Sequence, residues 1–367
     1  LINQLIKSLY DSRFNLPNDT AFYHDAIQEI ETYSISSQVF YLLETQGKLK
    51  KTPLFFQTRL KQKHQEVLYQ NLLIKDQTNK ILNNFEAKGL EVIPLKGVYF
   101  AERYFGHIGA RGTSDIDLLI RMKDVDKAVE IIKLMGFEIE EEPIPSHFHS
   151  SLSKKIPGSP FPLTVEVHWD ILKEATANFK IEEFWNEAIP LEKHLYVKKL
   201  SDYHTFYLIC LHGWRHNLDS PKYFLDIIQM IYHLKDRLQY EELFKDATLH
   251  QTVKRLKRTL SIVYKEYPML EDVAALSFKK RKRKGEYRSC IKTTGLIQYM
   301  HFFDYQFCSY DSVKHSFIEI SQWVLPARNE LVRQLRRDHK EHSYLFLLLY
   351  LYKQRWTSII KAMGILF

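Results

Sequence analysis

The run Thr113-Ser114-Asp115-Ile116-Asp117-Leu118 sets two carboxylates two positions apart at the head of an apolar stretch that continues to Ile120. On a strand, residues i and i+2 project from one face, so Asp115 and Asp117 would stand side by side. Carboxylates that close raise each other's pKa unless a cation lies between them. A divalent ion is the natural resolution. Mg2+ takes carboxylate oxygens and keeps sites for phosphate oxygens, the arrangement that phosphoryl and nucleotidyl transfer need. An isolated Asp-x-Asp is most simply a pair of solvated surface acids, but here apolar neighbours point to an internal strand, where unpaired carboxylates are expensive. A third acid, Glu166, sits among β-branched residues in Thr164-Val-Glu-Val-His168, with His168 on the same strand face. Three acids on two adjacent strands can hold two metal ions.

Upstream, Lys96-Gly97 occupies a strand-to-helix turn. Free N–H groups there favour an anion, and glycine permits close backbone approach. Lys96 would add a point charge, and Arg111 and Ser114, just before the acids, could reach the same phosphates.

The elements that must position these residues are legible in outline. With 367 residues, 45% hydrophobic and 26% charged, the chain has the proportions of a folded globular protein of about two units. Only 12 glycines and 12 prolines imply long elements, hence many helices. Residues 1–89 read as helix after helix, the last carrying Leu68, Leu72, Ile81, Leu82 and Phe85 near a 3.6 period and closing at Gly89. A short β-like run over Leu90–Leu95, a helix from Val98, the Asp115–Ile120 strand, an amphipathic helix over Lys123–Met135, strands near Phe137 and His147–Ser153, and the alternating strand Leu163–Trp169 follow. From about Asp202 the text is helical. The expectation is an α+β fold: a helical arm (1–89), a small mixed-sheet core (90–175) and a mostly helical remainder (176–367).

In this order, the motifs resemble the DNA polymerase β-type nucleotidyltransferase superfamily. Within it, Leu95-Lys96-Gly97, Arg111-x-x-Ser-Asp-Ile-Asp-Leu-Leu-Ile120 and Glu166-x-His168-Trp169 resemble an uncharacterised nucleotidyltransferase family found in bacterial biosynthetic clusters. The resemblance covers about residues 90–170 and extends more loosely through His212-Gly-Trp-Arg-His216 and Phe224-Leu-Asp226. It implies that Asp115 and Asp117 ligate the catalytic metals, that Glu166 is the third carboxylate and assists deprotonation of the attacking group, and that Gly97 takes the glycine position at the helix start. Two departures stand out. The turn reads Lys96-Gly97-Val98 where most superfamily members have Gly-Ser or Gly-Gly, and Glu166 stands where the family more often has Asp.

The resulting expectation is a bacterial, cytoplasmic enzyme that moves an NMP group from an NTP, ATP by default, to an acceptor hydroxyl with release of pyrophosphate. It would use two Mg2+ ions, or Mn2+ in their place. The acceptor, the base preference and the oligomeric state are not encoded in any motif. Two rival classes stay open: a non-catalytic nucleotide-binding or interaction module, and an antitoxin-like regulator that transfers AMP to a protein.

Other features carry plainer readings. His212 and His216, four apart on a helix, share a face and with Asp226 could line the cleft or simply be satisfied core residues. The six bases Lys279–Lys284 read as a solvated segment, and no zinc-finger, helix-turn-helix or RNP signature argues for sequence-specific DNA binding. Three cysteines without CxxC spacing suggest no disulfide framework and fit a reducing compartment. The opening segment lacks a signal peptide's apolar core, no stretch reaches the roughly 18 apolar residues of a membrane span, and Tyr344–Tyr352 reads as a buried helix.

Overall fold

The computed structural model describes residues 1–140, 148–159, 161–277, 296–335 and 342–362. The basic run Lys279–Lys284 lies outside the described residues. Four helices lead in: α1 (Ile2–Tyr10), α2 (Thr20–Thr32), α3 (Ser36–Thr45) and the long α4 (Leu54–Ala87). The mixed part follows as β1 (Val92–Pro94), α5 (Gly97–Phe100), β2 (Asp115–Ile120), α6 (Val125–Leu134), β3 (Glu138–Ile139), β4 (His149–Lys154) and β5 (Leu163–His168). Then come α7 (Ile181–Asn186), the two-residue strands β6 (Ile189–Pro190) and β7 (Lys198–Lys199), α8 (Asp202–Arg215), α9 (Pro221–Leu234), α10 (Tyr240–Leu249), α11 (Val253–Glu266), α12 (Leu296–Cys308), α13 (Val313–Val324), α14 (Arg328–Gln334) and α15 (Tyr344–Ala362). The fold is α+β, with a five-stranded mixed sheet in the order β1-β2-β5-β4-β3.

Alternation along β2 and β5 divides the sheet into an apolar and a charged face. Ile116, Leu118 and Ile120 of β2 and Val165 and Val167 of β5 pack on one side with Ile81, Phe85 and Ile132 of α4 and α6. Each such side chain taken fully out of water contributes about 2 kcal/mol. The intervening residues Asp115, Asp117, Glu166 and His168 therefore face the other way, toward α8 and α9. A one-residue slip of either strand would exchange the two sets and bury carboxylates in the aliphatic layer, so the pattern itself enforces the register. β2 lies between β1 and β5, which makes it internal, as its apolar composition implies.

A second core, on the other face of the sheet, joins the leading helices to those that follow it. Leu5, Phe40 and Leu60 of the leading helices share it with Phe206, Ile227 and Leu260 of α8, α9 and α11, and with Ile93, Leu95 and Leu119 of the sheet. The hairpin β6–β7 was not legible in the sequence: its strands are two residues each, and it is tied to β1 through a bridge between Val92 and Val197.

Tyr344–Tyr352 departs from its expected burial. Leu347 and Leu351 of α15 are buried against Leu331 and Leu335, whereas Leu345, Phe346 and Leu349 are exposed. Among the described residues no helix is long and apolar enough to cross a membrane, and Cys210 and Cys308 are free thiols.

Candidate active site

The site is assembled by β-pairing. In the parallel register of β2 and β5, Asp117 lies beside Glu166 and Asp115 beside Thr164. β1 pairs antiparallel with β2 on the other side, and the contact runs one residue past the strand, with the Leu95 N–H donating to the Asp117 carbonyl at 3.0 Å. That bond sets Leu95 level with Asp117 and brings the next residue, Lys96, within reach of its carboxylate. Immediately afterwards Gly97 turns the chain at φ +71°, where a Cβ would stand 3.3 Å from Thr113 Cγ2. A side chain there is disfavoured both by the backbone and by the space. On the far side of the turn, Asn71 of α4 clamps the loop before the acids, donating to the carbonyls of Ile108 and Arg111 and accepting from the Thr113 N–H.

Asp117 is buried, and both of its oxygens are engaged by basic side chains. Lys96 Nζ lies 3.1 Å from one and His168 Nε2 3.1 Å from the other. The same imidazole nitrogen is 3.1 Å from Glu166. Burial pushes the Asp117 carboxyl up, but Lys96 and the His168 hydrogen bond outweigh it and hold the group well below the ordinary carboxylate range. Glu166 is likewise lowered, with burial overcome by His168. Burial works against the His168 cation, yet the two carboxylates raise its pKa. Asp115 moves the other way, raised by burial and by Asp117 beside it. The two aspartates thus titrate apart, as like charges at close quarters must.

These donors suit a hard divalent ion. Asp117, Glu166 and His168 each offer one ligand atom, all within 4.8 Å of one another, and carboxylate oxygen is what Mg2+ prefers. The Lys96 ammonium already supplies part of the positive charge that such an ion would bring. Asp115, expected in the ligand set, is outside that tight group of three and lies on the edge facing α9.

Several expected residues are placed differently. Arg111 has its hydrogen bonds elsewhere, although its charge reaches Asp115 and Asp117: its Nε and Nη2 donate to the two oxygens of Asp226, 2.8 and 2.9 Å away and 115 residues distant in sequence. Both partners are buried, so Asp226 is not an open cleft wall but half of an ion pair tying the loop before β2 to α9. Removing one member of such a pair leaves a buried charge alone. Asp226→Ala is therefore expected to lower stability by about 3–5 kcal/mol, read as the shift of a denaturant midpoint. Ser114 lies at the mouth, its hydroxyl 3.3 Å from Asp115.

His212 shares a small cleft with Lys96 and His168. His216, one turn on, stacks on Tyr223 with ring centroids 5.0 Å apart. Burial, then the charges of Arg215 and Lys96, bring His216 down to about 4, and burial with Lys96 lowers His212 as well. As pH falls from 6.5, the ordinary histidine value, to about 4, the unfolded chain takes up protons that the folded chain refuses, so stability falls with pH across that window. His168, raised in the folded state, acts in a separate window: its contribution is full below the ordinary histidine value and fades above it. The expected observation is a denaturant midpoint that declines on acidification, with a shallower decline in His216→Phe.

Sequence reading missed Lys222. It stands in the first turn of α9, capped by Ser220 and preceded by Pro221, and burial with Arg111 nearby brings its ammonium down to about 8. A cation in a first helical turn opposes the helix dipole, and that local conflict was the available signal. Its charge acts on Asp115 across the cleft. His149 of β4 was also missed; it lies opposite His168 in the antiparallel register, with ring centroids 5.1 Å apart.

No curated protein matches the chain. Among solved structures, the antibiotic-resistance factor ANT(2″)-Ia aligns at 15% identity over 56% of this chain and 97% of that one, with a TM-score of 0.34, a likeness too loose to say anything of a substrate. A family model described as uncharacterised nucleotidyltransferase matches residues 23–265, from α2 through α11 and across the whole acid-bearing sheet. The chain belongs to this nucleotidyltransferase family.

Proposed function

We propose that the protein is a Mg2+-dependent enzyme that transfers an NMP group from an NTP, ATP by default, to an acceptor hydroxyl, releasing pyrophosphate. The observation that carries the reading is the registered pair Asp117 and Glu166, held ionised in a buried site by Lys96 and His168. A chain sets a buried and a half-buried carboxylate with Lys96 and His168 in one cluster at considerable desolvation cost, which chemistry at that cluster explains better than stability does.

Asp117 and Glu166, with Asp115, would hold the metal; when bound it supplies charge that stabilises the α-phosphoryl group during displacement. Lys96 and Lys222 flank the acids and would take the β- and γ-phosphates once Lys96 leaves Asp117. Ser114 and Gly97 border the same space. The acceptor oxygen forms its bond to the α-phosphorus as the bond to the bridging oxygen of pyrophosphate breaks. The hydroxyl proton passes to Glu166, whose other oxygen is steadied by His168. His168 thereby acts on the base rather than on phosphate, a reassignment from its expected role. His212, kept neutral by burial, walls the cleft without adding a charge that would compete with the metal.

Calorimetric titration of the four NTPs, with and without Mg2+, tests this reading. Metal-dependent binding of one NTP, lost in a folded Asp115→Asn/Asp117→Asn double variant, is the expected result. Equal binding by the wild type and that variant would refute it.

A further inference from the structure

Arg255 of α11 is 0% exposed. Its guanidinium packs against the rings of both Trp214 and Tyr310, 5.1 Å from each centroid. Nη2 donates to the carbonyls of Thr176 and Gln251, at 2.9 and 3.0 Å. Among the described residues Nε and Nη1 have no hydrogen-bond partner, and neither does Nε1 of the adjacent Trp214. The acids whose charge reaches Arg255 are Asp311 and Glu319. Asp311 accepts instead from the Lys254 N–H, and Glu319 lies 3.4 Å from Lys173 Nζ. Arg111, also buried, has its carboxylate partner in Asp226, so the fold can satisfy a buried arginine. Leaving charged donors unmade costs far more than an ordinary hydrogen bond returns, and native interiors rarely tolerate it without a reason.

The reason is next to it. Arg255, Trp214 and Tyr310 line a cavity of about 220 Å³ together with Lys173, Arg215, Glu319 and Glu330. This cavity shares Phe148, Ile171 and Arg215 with the small cleft that holds Lys96, His168 and His212, so it borders directly on the acid cluster. An arginine packed against two aromatic rings with two donors unmade, in a lining where Arg215 and Lys173 stand with it against Glu319 and Glu330 and leave positive charge in excess, suits an oxyanion. The volume suits a head group and a few carbons rather than a nucleotide.

We propose that this cavity anchors the acceptor by an anionic group, a carboxylate or a phosphate, leaving the acceptor's hydroxyl to reach Asp117 and Glu166. The proposal rests on the transfer reading for the role of the hydroxyl, but not for the binding of the anion. The acceptor class is then a hydroxy acid or a hydroxyalkyl phosphate, not a neutral sugar.

The test uses Trp214 as a reporter, since an anion on Arg255 alters the charge against its ring. Acetate and inorganic phosphate are titrated separately into the wild type, Arg255→Gln, Arg255→Lys, Trp214→Phe and Asp117→Asn, following fluorescence and binding heat. Saturable binding of at least one anion is expected, weakened about tenfold or more in Arg255→Gln, partly kept in Arg255→Lys and unchanged in Asp117→Asn, with the fluorescence change lost in Trp214→Phe. The anion that saturates separates carboxylate from phosphate. If Arg255→Gln does not fold, the wild type and Arg255→Lys still decide the matter. No saturation by either anion, or equal affinity with and without the arginine, overturns the proposal. Displacement of the bound anion by Mg·ATP alone would also overturn it, because the cavity would then hold the donor's phosphates. Failure of Mg2+-dependent NTP binding in the same wild-type sample would refute the transfer reading while leaving the anion site standing.

Discussion

Asp117→Asn is expected to lower turnover by about 10³-fold, the scale seen when a single preorganised charge is removed from a reacting centre, while the chain remains folded. The amide keeps the shape of the side chain and can still accept from His168, and Lys96 keeps the negative field of Asp115 and Glu166 nearby. What disappears is the one carboxylate that Lys96 and His168 together hold ionised against its burial. The check is Mg2+-dependent pyrophosphate release set beside a denaturant midpoint measured on the same preparation. Turnover within a few-fold of wild type, in a folded variant, would make Asp117 a structural acid and end the catalytic reading.

Lys96→Met should produce two effects of opposite sign. Without the ammonium 3.1 Å from its carboxylate, Asp117 loses the competitor that any metal ion must displace, so Mg2+ affinity in the absence of nucleotide is expected to rise. The same change removes a charge from the triphosphate path, so kcat/KM for the NTP should fall by about 10²-fold. Direct metal titration and steady-state kinetics on one variant read the two separately. A purely structural Lys96 would lower both, because a loosened turn at Gly97 would spoil the acid cluster as well.

Much of this cluster could be read from residue order because strand alternation is a local property. Asp115-Ile-Asp117 and Glu166-Val-His168 each declare one face, and their apolar neighbours declare the other. The sequence does not announce that β2 and β5 pair in parallel with Asp117 beside Glu166. That register depends on α6, β3 and β4 folding between them and on which aliphatic rows fill the layer beneath. Ionic partnership is harder still. Arg111 precedes the acids by four positions and reads as a phosphate ligand, yet its partner is Asp226 on a distant helix, and no local pattern links the two. Lys96 was legible as a cation near phosphate but not as the counter-charge of Asp117. His212 and His216 were legible as one helix face; that burial makes them neutral follows only from what packs around them. Arg255 was invisible for the same reason: an arginine in a basic amphipathic helix reads as solvated until Trp214 and Tyr310 close over it.

The Arg111–Asp226 bond has a bearing on how such a sheet can be inherited. A strand-and-acid core of this kind could in principle be shuffled between proteins as a portable cassette, with a new helical half grafted on to recognise a new acceptor. Here the graft is constrained. Any replacement half must bring a carboxylate to the place of Asp226, or the recipient must surrender Arg111 at the same time. Diversification of this scaffold is thereby channelled toward changes within the existing helices, around the cavity they enclose, rather than toward exchange of those helices wholesale.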